Sequence, residues 1–310
     1  MKDRKIRIGI IGLGEIAQKV YLPYLAQQKN WLLVGAYSPT QIKRDTICQY
    51  YRIPSFAAMG DLIDQCDAVF VHSSTRSHFA VVAEALKKGK DVYVDKPLAS
   101  SIEEAEQLVQ LSIKTGRKLM VGFNRRFVPL YIKAREQANN TAWIRMEKHR
   151  INVLHDVNFA VTMLDDYIHL VDTVRWLGEP SNKLTGHINL NDNKQLISAQ
   201  HAYQTNNGIT VFMGMHRKSG TNLEQLEFVN EDSVIRVKNM DTMEIEKAGS
   251  VITTTSGSWE SIIKRRGFED AILHFIAAVQ GDMIPAIDGI EALKTQQLLQ
   301  DMIDSKYLEF

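Results

Sequence analysis

The chain has 310 residues, about twice the usual size of one domain, which predicts two domains. Its 37 Lys and Arg residues nearly balance 36 Asp and Glu residues, so its charge does not favour nucleic acid or an anionic membrane as a partner. Cys48 and Cys66 are too few for a disulfide framework, and the Cys and His spacings do not suggest a metal site. The apolar stretch at 8–16 contains three glycines and Glu15, which fits neither a signal peptide nor a membrane span. We therefore expect a cytoplasmic protein.

The first 122 residues alternate short apolar runs with amphipathic stretches, a rhythm typical of βαβ units around a parallel sheet. The predicted strands are Ile6–Ile11, Leu32–Tyr37, Ala68–His72, Asp91–Val94 and Lys118–Gly122. The predicted helices between them are Glu15–Gln28, Gln41–Tyr50, His78–Lys88 and Ser101–Thr115. Because the strands are apolar on both faces, helices are expected on both sides of the sheet. Residues 1–122 are therefore predicted to form a doubly wound α/β domain.

Residues 123–310 instead alternate apolar and polar positions with a period of two. The predicted strands are Trp143–Arg150, Leu184–Leu190, Leu196–Gln204, Ile209–His216, Leu223–Val229 and Val234–Val237. The predicted helices are Asn158–Leu177, Phe268–Gln280 and Gly289–Ser305. This pattern predicts an α+β domain with an open, largely antiparallel sheet, one face covered and one solvated. The C-terminal helices are candidates to pack back on the first domain, and the lack of a Pro- or Ser-rich linker predicts closely packed domains with a cleft between them.

A glycine-rich turn follows the first predicted strand and opens the first predicted helix. Residues 12–17, GLGEIA, have the GxGxxA spacing of a dinucleotide-binding turn in a Rossmann domain. Gly12 permits the tight turn, Gly14 lets the backbone approach a pyrophosphate, and Ala17 allows close helix–strand packing. A purely structural glycine turn is the alternative. The residues expected beside the cofactor are Gly12, Leu13, Gly14, Glu15 and Ile16.

Cofactor preference depends on the residues after the second predicted strand. NAD-selective Rossmann domains usually place an acid there, bonded to the ribose 2′-hydroxyl. This chain continues with residues 38–41, SPTQ, and its next acid, Asp45, lies inside the following helix. Residues 38–41 also fit a helix-capping box, and nearby cations also fit a solvated helix face. We predict a preference for NADP over NAD, from side chains suited to a 2′-phosphate at Ser38, Thr40, Lys43 and Arg44.

A lysine stands at the carboxyl end of the strand predicted at 91–94, within Asp95-Lys96-Pro97. Ligands bind at the carboxyl ends of parallel strands, so Lys96 is placed to reach a substrate hydroxyl over a nicotinamide. Considered without other information, Lys96 and Asp95 fit a surface pair better than a catalytic site.

Four phrases together resemble the Gfo/Idh/MocA oxidoreductases, the family of glucose–fructose oxidoreductase and inositol dehydrogenase. They are GLGEIA at 12–17, the stretch at 68–98, MVGFNRRF at 120–127 and DDYIHLVDTVRWLG at 165–178. The resemblance covers essentially the whole chain, and AYSPT, HSST, VDKPLA and GFNRRF are most similar to the MviM-like subgroup. The family's EKP tripeptide corresponds to Asp95-Lys96-Pro97, and its DxGxH motif corresponds to residues 165–169.

The resemblance implies that Lys96, Asp165 and His169 act together beside the nicotinamide ring. His169 would take the proton of a substrate alcohol, Lys96 would bond the reacting oxygen, and Asp165 would orient the substrate or the histidine. A continuous α-helix agrees with this, because positions 165, 169 and 172 would then lie along one stripe. An ordinary surface pair is the alternative for Asp165 and His169.

The resemblance also implies contacts of a less specific kind. Further cofactor neighbours are Ser73, Ser74, His78, Asp95, Lys96 and Asn124. Tentative substrate contacts are Lys96, Arg125, Tyr167 and His169. Helix capping or packing is the alternative for Ser74 and His78, and a structural ion pair is the alternative for one of Arg125 and Arg126. Two departures from the family motifs, Asp95 for glutamate and Tyr167 for glycine, put the ribose contact and the substrate class in doubt.

These features predict an NADP-dependent dehydrogenase or reductase for a sugar, polyol or related hydroxy or keto compound. The resemblance implies a homodimer or homotetramer formed through the C-terminal sheet, with a small-molecule substrate as the other partner. A catalytically idle NADP-binding regulatory protein is the main alternative. A family member that keeps a tightly held cofactor throughout its reaction is another.

Overall fold

The computed structural model describes residues 4–27, 29–181, 184–281 and 283–304. Gln28 and Ser305, where two predicted helices end, lie outside these residues. The chain separates into two compact units. The first combines the described residues up to Phe123 with Glu269–Lys294, and the second combines Asn124–Phe268 with the described residues after Lys294. The C-terminal region is thus shared between the units, so the division is not a single cut near residue 122.

The first unit is built on parallel strands, as predicted. They are β1 Ile6–Ile11, β2 Trp31–Tyr37, β3 Ala68–Val71, β4 Asp91–Val94 and β5 Leu119–Val121. Among the described residues these five strands form one sheet in the order β2-β1-β3-β4-β5. A π-helical turn at Ala17–Tyr21 leads into the first helix, and the helices are α1 Leu22–Leu25, α2 Gln41–Tyr51, α3 Met59–Asp64, α4 Thr75–Lys87 and α5 Ile102–Thr115. The short α3 is missing from the sequence prediction, because six residues are too few to show a helical period.

The core of the first unit explains its unbroken apolar strands. Every residue of β3 and β4 is buried, as expected for a parallel sheet covered on both faces. Phe70 on β3 packs edge-on against Phe275, with ring centroids 5.4 Å apart. This contact anchors part of the C-terminal region in the first unit. Removing a buried ring of this kind typically costs about 3–5 kcal/mol.

The second unit contains a mixed, mostly antiparallel sheet. Its strands are β6 Thr141–His149, β7 Thr185–Leu190, β8 Leu196–Gln204, β9 Thr210–His216, β10 Leu223–Asn230, β11 Val234–Lys238, β12 Thr242–Lys247 and β13 Ser250–Thr255. In the described chain these eight strands follow the order β13-β12-β11-β10-β6-β9-β8-β7, and β6 and β9 are parallel. Ile144 and Met146 are buried on one face, whereas Trp143 and Arg145 are exposed on the other. The predicted open sheet is confirmed, and β12 and β13 extend it beyond the predicted strands.

The helices of the remaining chain follow the same order. A 3₁₀ turn at Asn124–Phe127 precedes α6 Pro129–Gln137. A π-helical turn at Met163–Tyr167 separates α7 Phe159–Thr162 from α8 Ile168–Leu177. The last helices of the described chain are α9 Ile262–Arg265, α10 Phe268–Gln280 and α11 Gly289–Asp304. The helix predicted at 158–177 is therefore interrupted by a wider turn. No helix of the described chain is long and apolar enough to cross a membrane.

Candidate functional site

The carboxyl ends of β1, β3 and β4 lie side by side in the first unit. Ile11 pairs with Val71, and Val71 pairs with Val94, so the segments after these strands begin at one edge of the sheet. The strand order reverses between β1 and β3, and doubly wound sheets bind ligands in the crevice outside such a reversal. This edge collects three predicted segments: the glycine turn, the serines after β3, and Asp95-Lys96-Pro97.

The glycine turn fits a dinucleotide. Gly12 has φ +94°, and a Cβ there would lie 2.4 Å from the nitrogen of Ser73 and 2.5 Å from the carbonyl carbon of His72. The turn and the chain leaving β3 therefore approach too closely for any other residue at position 12. A Cβ at Gly14 would meet its nearest described neighbour, the oxygen of His72, at 3.8 Å. Glycine at 14 thus keeps open space beside the backbone, which a pyrophosphate needs.

The neighbours of the two glycines differ in what they can offer a cofactor. The Leu13 side chain is buried, so only its backbone faces the turn. Glu15 is exposed and pairs with Lys19, whose hydrogen bond and charge lower the pKa of the Glu15 carboxyl. Ile16 is half-buried at the start of the helix. Their cofactor contacts stay predictions.

The loop after β2 gives a mixed outcome. Arg44 is buried, and its Nε donates to Ser55 Oγ at 2.9 Å while its Nη1 donates to the backbone oxygen of Ser38 at 3.3 Å. The guanidinium thus braces the loop from inside, and the 2′-phosphate contact of Arg44 stays a prediction. Asp45 accepts a hydrogen bond from Ser55 Oγ at 2.5 Å, which lowers the pKa of the Asp45 carboxyl. Thr40 and Lys43 remain exposed.

The segment after β3 contains one structural and two accessible residues. His78 is 1% exposed, and its Nδ1 lies 2.8 Å from the oxygen of Pro97 while its Nε2 lies 3.1 Å from the oxygen of Ser73. Both ring nitrogens thus face backbone oxygens inside the first unit, and the cofactor contact of His78 stays a prediction. Ser73 is half-buried and Ser74 is exposed at the start of α4, so their contacts stay predictions.

The turn after β4 holds Lys96 at the same edge. The Asp95 amide donates to the oxygen of Val71 at 2.9 Å, which continues the β3–β4 ladder by one residue. The Asp95 carboxylate accepts the backbone N–H of Lys96 at 3.0 Å. The Lys96–Pro97 peptide bond is cis, and Lys96 and Asp95 are half-buried. This geometry keeps Lys96 at the carboxyl end of the strand, as the sequence predicts.

A buried aromatic cluster lies behind this edge, and the sequence analysis missed it. The ring of His72 stacks on Tyr21 with centroids 3.7 Å apart, and the hydroxyls of Tyr21 and Tyr93 are 3.1 Å apart. Burial lowers the pKa of His72 to about 3, so its ring is neutral. The stack supports the chain where His72 passes Gly12. Three aromatic residues far apart in sequence give no local signal for such a cluster.

The second unit carries the Asp165 and His169 of the predicted motif. Asp165 is exposed within the π-helical turn, and His169 is 9% exposed in α8, where its backbone oxygen accepts Thr173 Oγ1 at 2.7 Å. The predicted α-helical stripe is wrong, because the π-helical turn interrupts the 3.6-residue period. Asp172 instead binds Arg126 through two hydrogen bonds of 2.6 and 2.9 Å. The roles of Asp165 and His169 stay predictions.

Two side chains of the 3₁₀ turn that are predicted to contact ligands form hydrogen bonds within the second unit. Arg125 donates to both carboxylate oxygens of Glu224 at 2.6 and 2.8 Å, and both side chains are buried. Asn124 is also buried, and its Nδ2 donates to the oxygen of Arg266 at 2.7 Å. The substrate contact of Arg125 and the cofactor contact of Asn124 stay predictions. Each group forms a polar link inside the second unit.

Tyr167 is buried between the helix and the sheet of the second unit. Its ring is 0% exposed, and its hydroxyl donates to the oxygen of Met213 at 3.2 Å and lies 2.9 Å from Nδ1 of His201. Burial raises the pKa of the Tyr167 hydroxyl well above its usual value. The ring thus joins the helix to the sheet, and the substrate contact of Tyr167 stays a prediction.

Buried charges around Asp166 form a second feature that the sequence analysis missed. Lys148 and Arg217 each bind one oxygen of Asp166, and Lys148 Nζ lies 3.8 Å from Glu224 Oε2. The period-two pattern of β6 contains the signal, because position 148 follows 144 and 146 on the buried face. In the described residues, no group of three or more His, Cys, Asp and Glu side chains is placed to hold a metal ion.

Comparisons with known proteins agree with this arrangement. Residues 6–123 match the family described as "Oxidoreductase family, NAD-binding Rossmann fold", and residues 129–248 match the family described as "YceM-like, C-terminal domain". The YceM oxidoreductase of Salmonella typhimurium is 39% identical over 300 residues, 96% of this chain and 97% of that protein. The chain belongs to the Gfo/Idh/MocA oxidoreductase family.

Solved structures and other members of the Gfo/Idh/MocA family are also similar. The dehydrogenase MviM from Clostridium difficile has 42% identity and a TM-score of 0.95, with 97% of this chain and 100% of that chain covered. The inositol 2-dehydrogenase of Paracoccus denitrificans is 28% identical over 253 residues, covering 75% of this chain and 74% of that protein. The resemblance predicted from the motifs is confirmed. The protein is an NAD(P)-dependent dehydrogenase that acts on alcohol groups.

Proposed function

We propose that this dehydrogenase interconverts a secondary alcohol and a ketone on a sugar or polyol, with NADP(H) as cofactor. The observation that carries the proposal is the shared sheet edge, where the glycine turn follows β1 and Lys96 follows β4, the two parallel strands on either side of β3. The relatives include an inositol 2-dehydrogenase, which favours a polyhydroxylated substrate. When bound, the nicotinamide supplies or accepts the hydride.

The roles of the side chains follow from their chemistry. His169 takes the proton of the alcohol during oxidation and returns it during reduction, because an imidazole exchanges protons near neutral pH. Lys96 donates a hydrogen bond to the reacting oxygen and stabilises the negative charge that develops there. Asp165 orients the substrate or the imidazole. Gly12 and Gly14 shape the pyrophosphate site.

The preference for NADP rests on the loop after β2. Its first acid, Asp45, is held by Ser55 and Arg44, so it is not directed at a ribose hydroxyl. Exposed Thr40 and Lys43 instead offer a hydroxyl and an ammonium group that suit a 2′-phosphate. An ammonium group next to a phosphate gains a charge-assisted hydrogen bond that the ribose hydroxyl of NAD does not provide.

Cofactor titration tests this preference. We expect calorimetry on the purified protein to give at least tenfold tighter binding of NADPH than of NADH, about 1.4 kcal/mol. Lys43→Gln should weaken NADPH and leave NADH unchanged, whereas Lys114→Gln, at an exposed lysine near the end of α5, should change neither. Equal affinities in the wild type would refute the NADP preference and leave the fold and family untouched.

Catalysis is tested with a substrate panel. We would assay a cyclic polyol (myo-inositol), an aldose (glucose) and a linear polyol (sorbitol) with both cofactors, following reduced cofactor at 340 nm. For a substrate that turns over, Lys96→Met and His169→Gln should each lower kcat by about 10²–10⁴-fold. NADPH affinity should stay within twofold. Retained turnover in either variant would exclude the role given to that residue.

We also propose that the protein self-associates through the open face of its second-unit sheet. That face presents Trp143 and Phe212, which are 42% and 37% exposed. It also carries a row of alternating charges, in which Arg145 lies opposite Glu227 and Glu227 opposite Arg236. Alternating charges around exposed aromatic rings suit pairing with a second copy of the same face.

Light scattering after size exclusion tests the assembly. The wild type should elute as a dimer or tetramer, and Trp143→Glu should shift it towards the monomer. Trp259→Glu is the matched control, because Trp259 is 99% exposed in a loop outside the sheet. A monomeric wild type, or an assembly that Trp143→Glu leaves unchanged, would exclude this interface.

A further inference from the structure

The π-helical turn at Met163–Tyr167 is the most unusual local feature of the second unit. The amide of Ile168 donates to the oxygen of Met163, five residues earlier, instead of four as in an α-helix. Such turns are rare and depend on tertiary contacts, and they often occur at functional sites. Asp165 lies within this turn, and His169 follows it by two residues.

Two side chains of the turn bind the sheet beneath it. One carboxylate oxygen of Asp166 accepts a hydrogen bond from Lys148 Nζ, and the other accepts one from Arg217 Nη1. Tyr167 binds the backbone oxygen of Met213 and lies within hydrogen-bond distance of His201. Lys148 lies on β6, Met213 on β9 and His201 on β8, and Arg217 directly follows β9. These three strands are adjacent in the sheet. The turn is therefore held at two successive positions.

We call Asp166, Lys148 and Arg217 the clamp, because they join the turn to the sheet. The charges of the clamp are deeply buried. The side chains of Lys148 and Arg217 are 3% and 2% exposed, and that of Asp166 is 19% exposed. Arg217 also donates from Nε to the oxygen of Val153 at 3.0 Å. Buried ion pairs add little net stability on average, because desolvation offsets their attraction. We therefore assign these ion pairs a geometric effect, which is to fix one position of the helical turn, and not a stabilising one.

We propose that Lys148 and Arg217, acting through Asp166, position Asp165 and His169 for proton transfer. This inference rests on the proposed function of His169. Lys148 and Arg217 are positioning residues, since both are buried and act through Asp166. The clamp holds the turn in the wider geometry, and the turn determines how the His169 ring is presented.

The Lys148 ammonium is the part of the clamp that can titrate near physiological pH. It faces Asp166 on the helix, Glu224 on β10 and Arg125 on the 3₁₀ turn, while Arg217 faces it across Asp166. Burial and the charge of Arg125 lower the pKa of Lys148 to about 8. Loss of this proton leaves Asp166 with Arg217 alone in the clamp. The surroundings of His169 should therefore change when Lys148 titrates.

Histidine NMR tests this inference without a substrate. The His169 ring resonances of ¹³C/¹⁵N-histidine-labelled protein are assigned with His169→Gln and followed from pH 5 to pH 10. The wild type should show the imidazole titration and a second inflection near pH 8, at the pKa of Lys148. Lys148→Arg should keep the wild-type chemical shift at pH 7 and abolish the second inflection, because arginine stays charged throughout this range.

Further variants separate positioning from simple destabilisation. Lys148→Met should move the His169 resonances at pH 7, whereas Lys247→Met should not, because Lys247 forms an exposed pair with Asp232. If Lys148→Met fails to fold, the wild-type and Lys148→Arg titrations still decide. Identical His169 curves in these two proteins would exclude the coupling to Lys148 titration, and His169 resonances that a folded Lys148→Met leaves unmoved would overturn the positioning itself. A null substrate panel would leave the NMR result standing, so the two proposals fail separately.

Discussion

A contact between His78 and Pro97 ties helix α4 to the turn that carries Lys96. Nδ1 of His78 lies 2.8 Å from the Pro97 oxygen, and the opposite ring nitrogen lies 3.1 Å from the oxygen of Ser73. One imidazole thus joins the segments that follow β3 and β4. The histidine supports the candidate cofactor edge from below and is not itself exposed at it.

Replacing His78 should therefore destabilise the first unit. His78→Leu removes the ring N–H that one of the two facing carbonyl oxygens, of Pro97 or of Ser73, accepts, which should lower the free energy of unfolding by about 1–3 kcal/mol. His78→Gln should recover part of this loss, because its amide can still donate. Urea unfolding measures the effect, and His155→Leu, at an exposed loop position, should stay within ~0.5 kcal/mol of the wild type.

The two glycines of the turn should respond differently to alanine. Gly12→Ala places a Cβ 2.4–2.5 Å from backbone atoms at positive φ, so it should both destabilise the protein and abolish NADPH binding. Gly14→Ala places its Cβ 3.8 Å from the nearest described atom, so the melting temperature should stay close to that of the wild type. The added methyl group should still weaken NADPH at least tenfold in a calorimetric titration. Unchanged affinity in Gly14→Ala would show that the pyrophosphate lies elsewhere.

The buried pair of Asp172 and Arg126 should matter far more than an exposed pair. Asp172 accepts two hydrogen bonds from Arg126 and a third from Thr295 Oγ1 at 3.0 Å. Asp172→Ala removes the carboxylate that binds the buried guanidinium and should cost about 3–5 kcal/mol. Asp232→Ala removes the exposed partner of Lys247 and should cost about 0–1 kcal/mol. Equal losses in urea unfolding would contradict the burial of the first pair.

Acid should weaken the fold well before its carboxylates are protonated. Burial lowers the pKa of His72 to about 3, and burial and His187 lower that of His201 to about 4. Below pH ~6.5 the unfolded chain binds protons that the native rings do not, so the free energy of unfolding falls by ~1.4 kcal/mol per pH unit for each histidine. This loss continues down to the native pKa values.

Urea midpoints measured from pH 7 to pH 4 check the acid effect. His72→Phe keeps a ring stacked on Tyr21 but cannot bind a proton, so it should remove about one proton from the slope. His155→Phe, which makes the same substitution at an exposed site, is the matched control. A slope that His72→Phe does not change would mean that the native His72 ring binds its proton with the usual pKa of a histidine.

Asp166 and Glu224 contribute stability at a lower pH. Their cationic neighbours hold the pKa values of both carboxyls at about 2, so this stability is lost only between about pH 4 and pH 2.

Local pattern in the sequence predicts the architecture well. Continuous apolar runs between amphipathic helices mark the parallel sheet, and the spacing of Gly12 and Gly14 marks the tight turn after β1 before any tertiary contact is known. The period-two alternation of β6 even places Lys148 on the buried face. These features are readable because neighbouring residues in the chain determine them, through backbone conformation and the side on which each side chain lies.

Tertiary structure alone decided which polar side chains remain accessible. Arg44, His78, Arg125 and Tyr167 all resemble ligand contacts in sequence, yet each is buried with a partner that lies at least eleven residues away. The π-helical turn at 163–167 likewise contacts strands that come before and after it in the chain. The sequence by itself determined the fold, the family and the position of the catalytic candidates. Long-range pairing decided which of its charged and aromatic groups hold the structure together, because a buried polar group must find its partner wherever the fold places one.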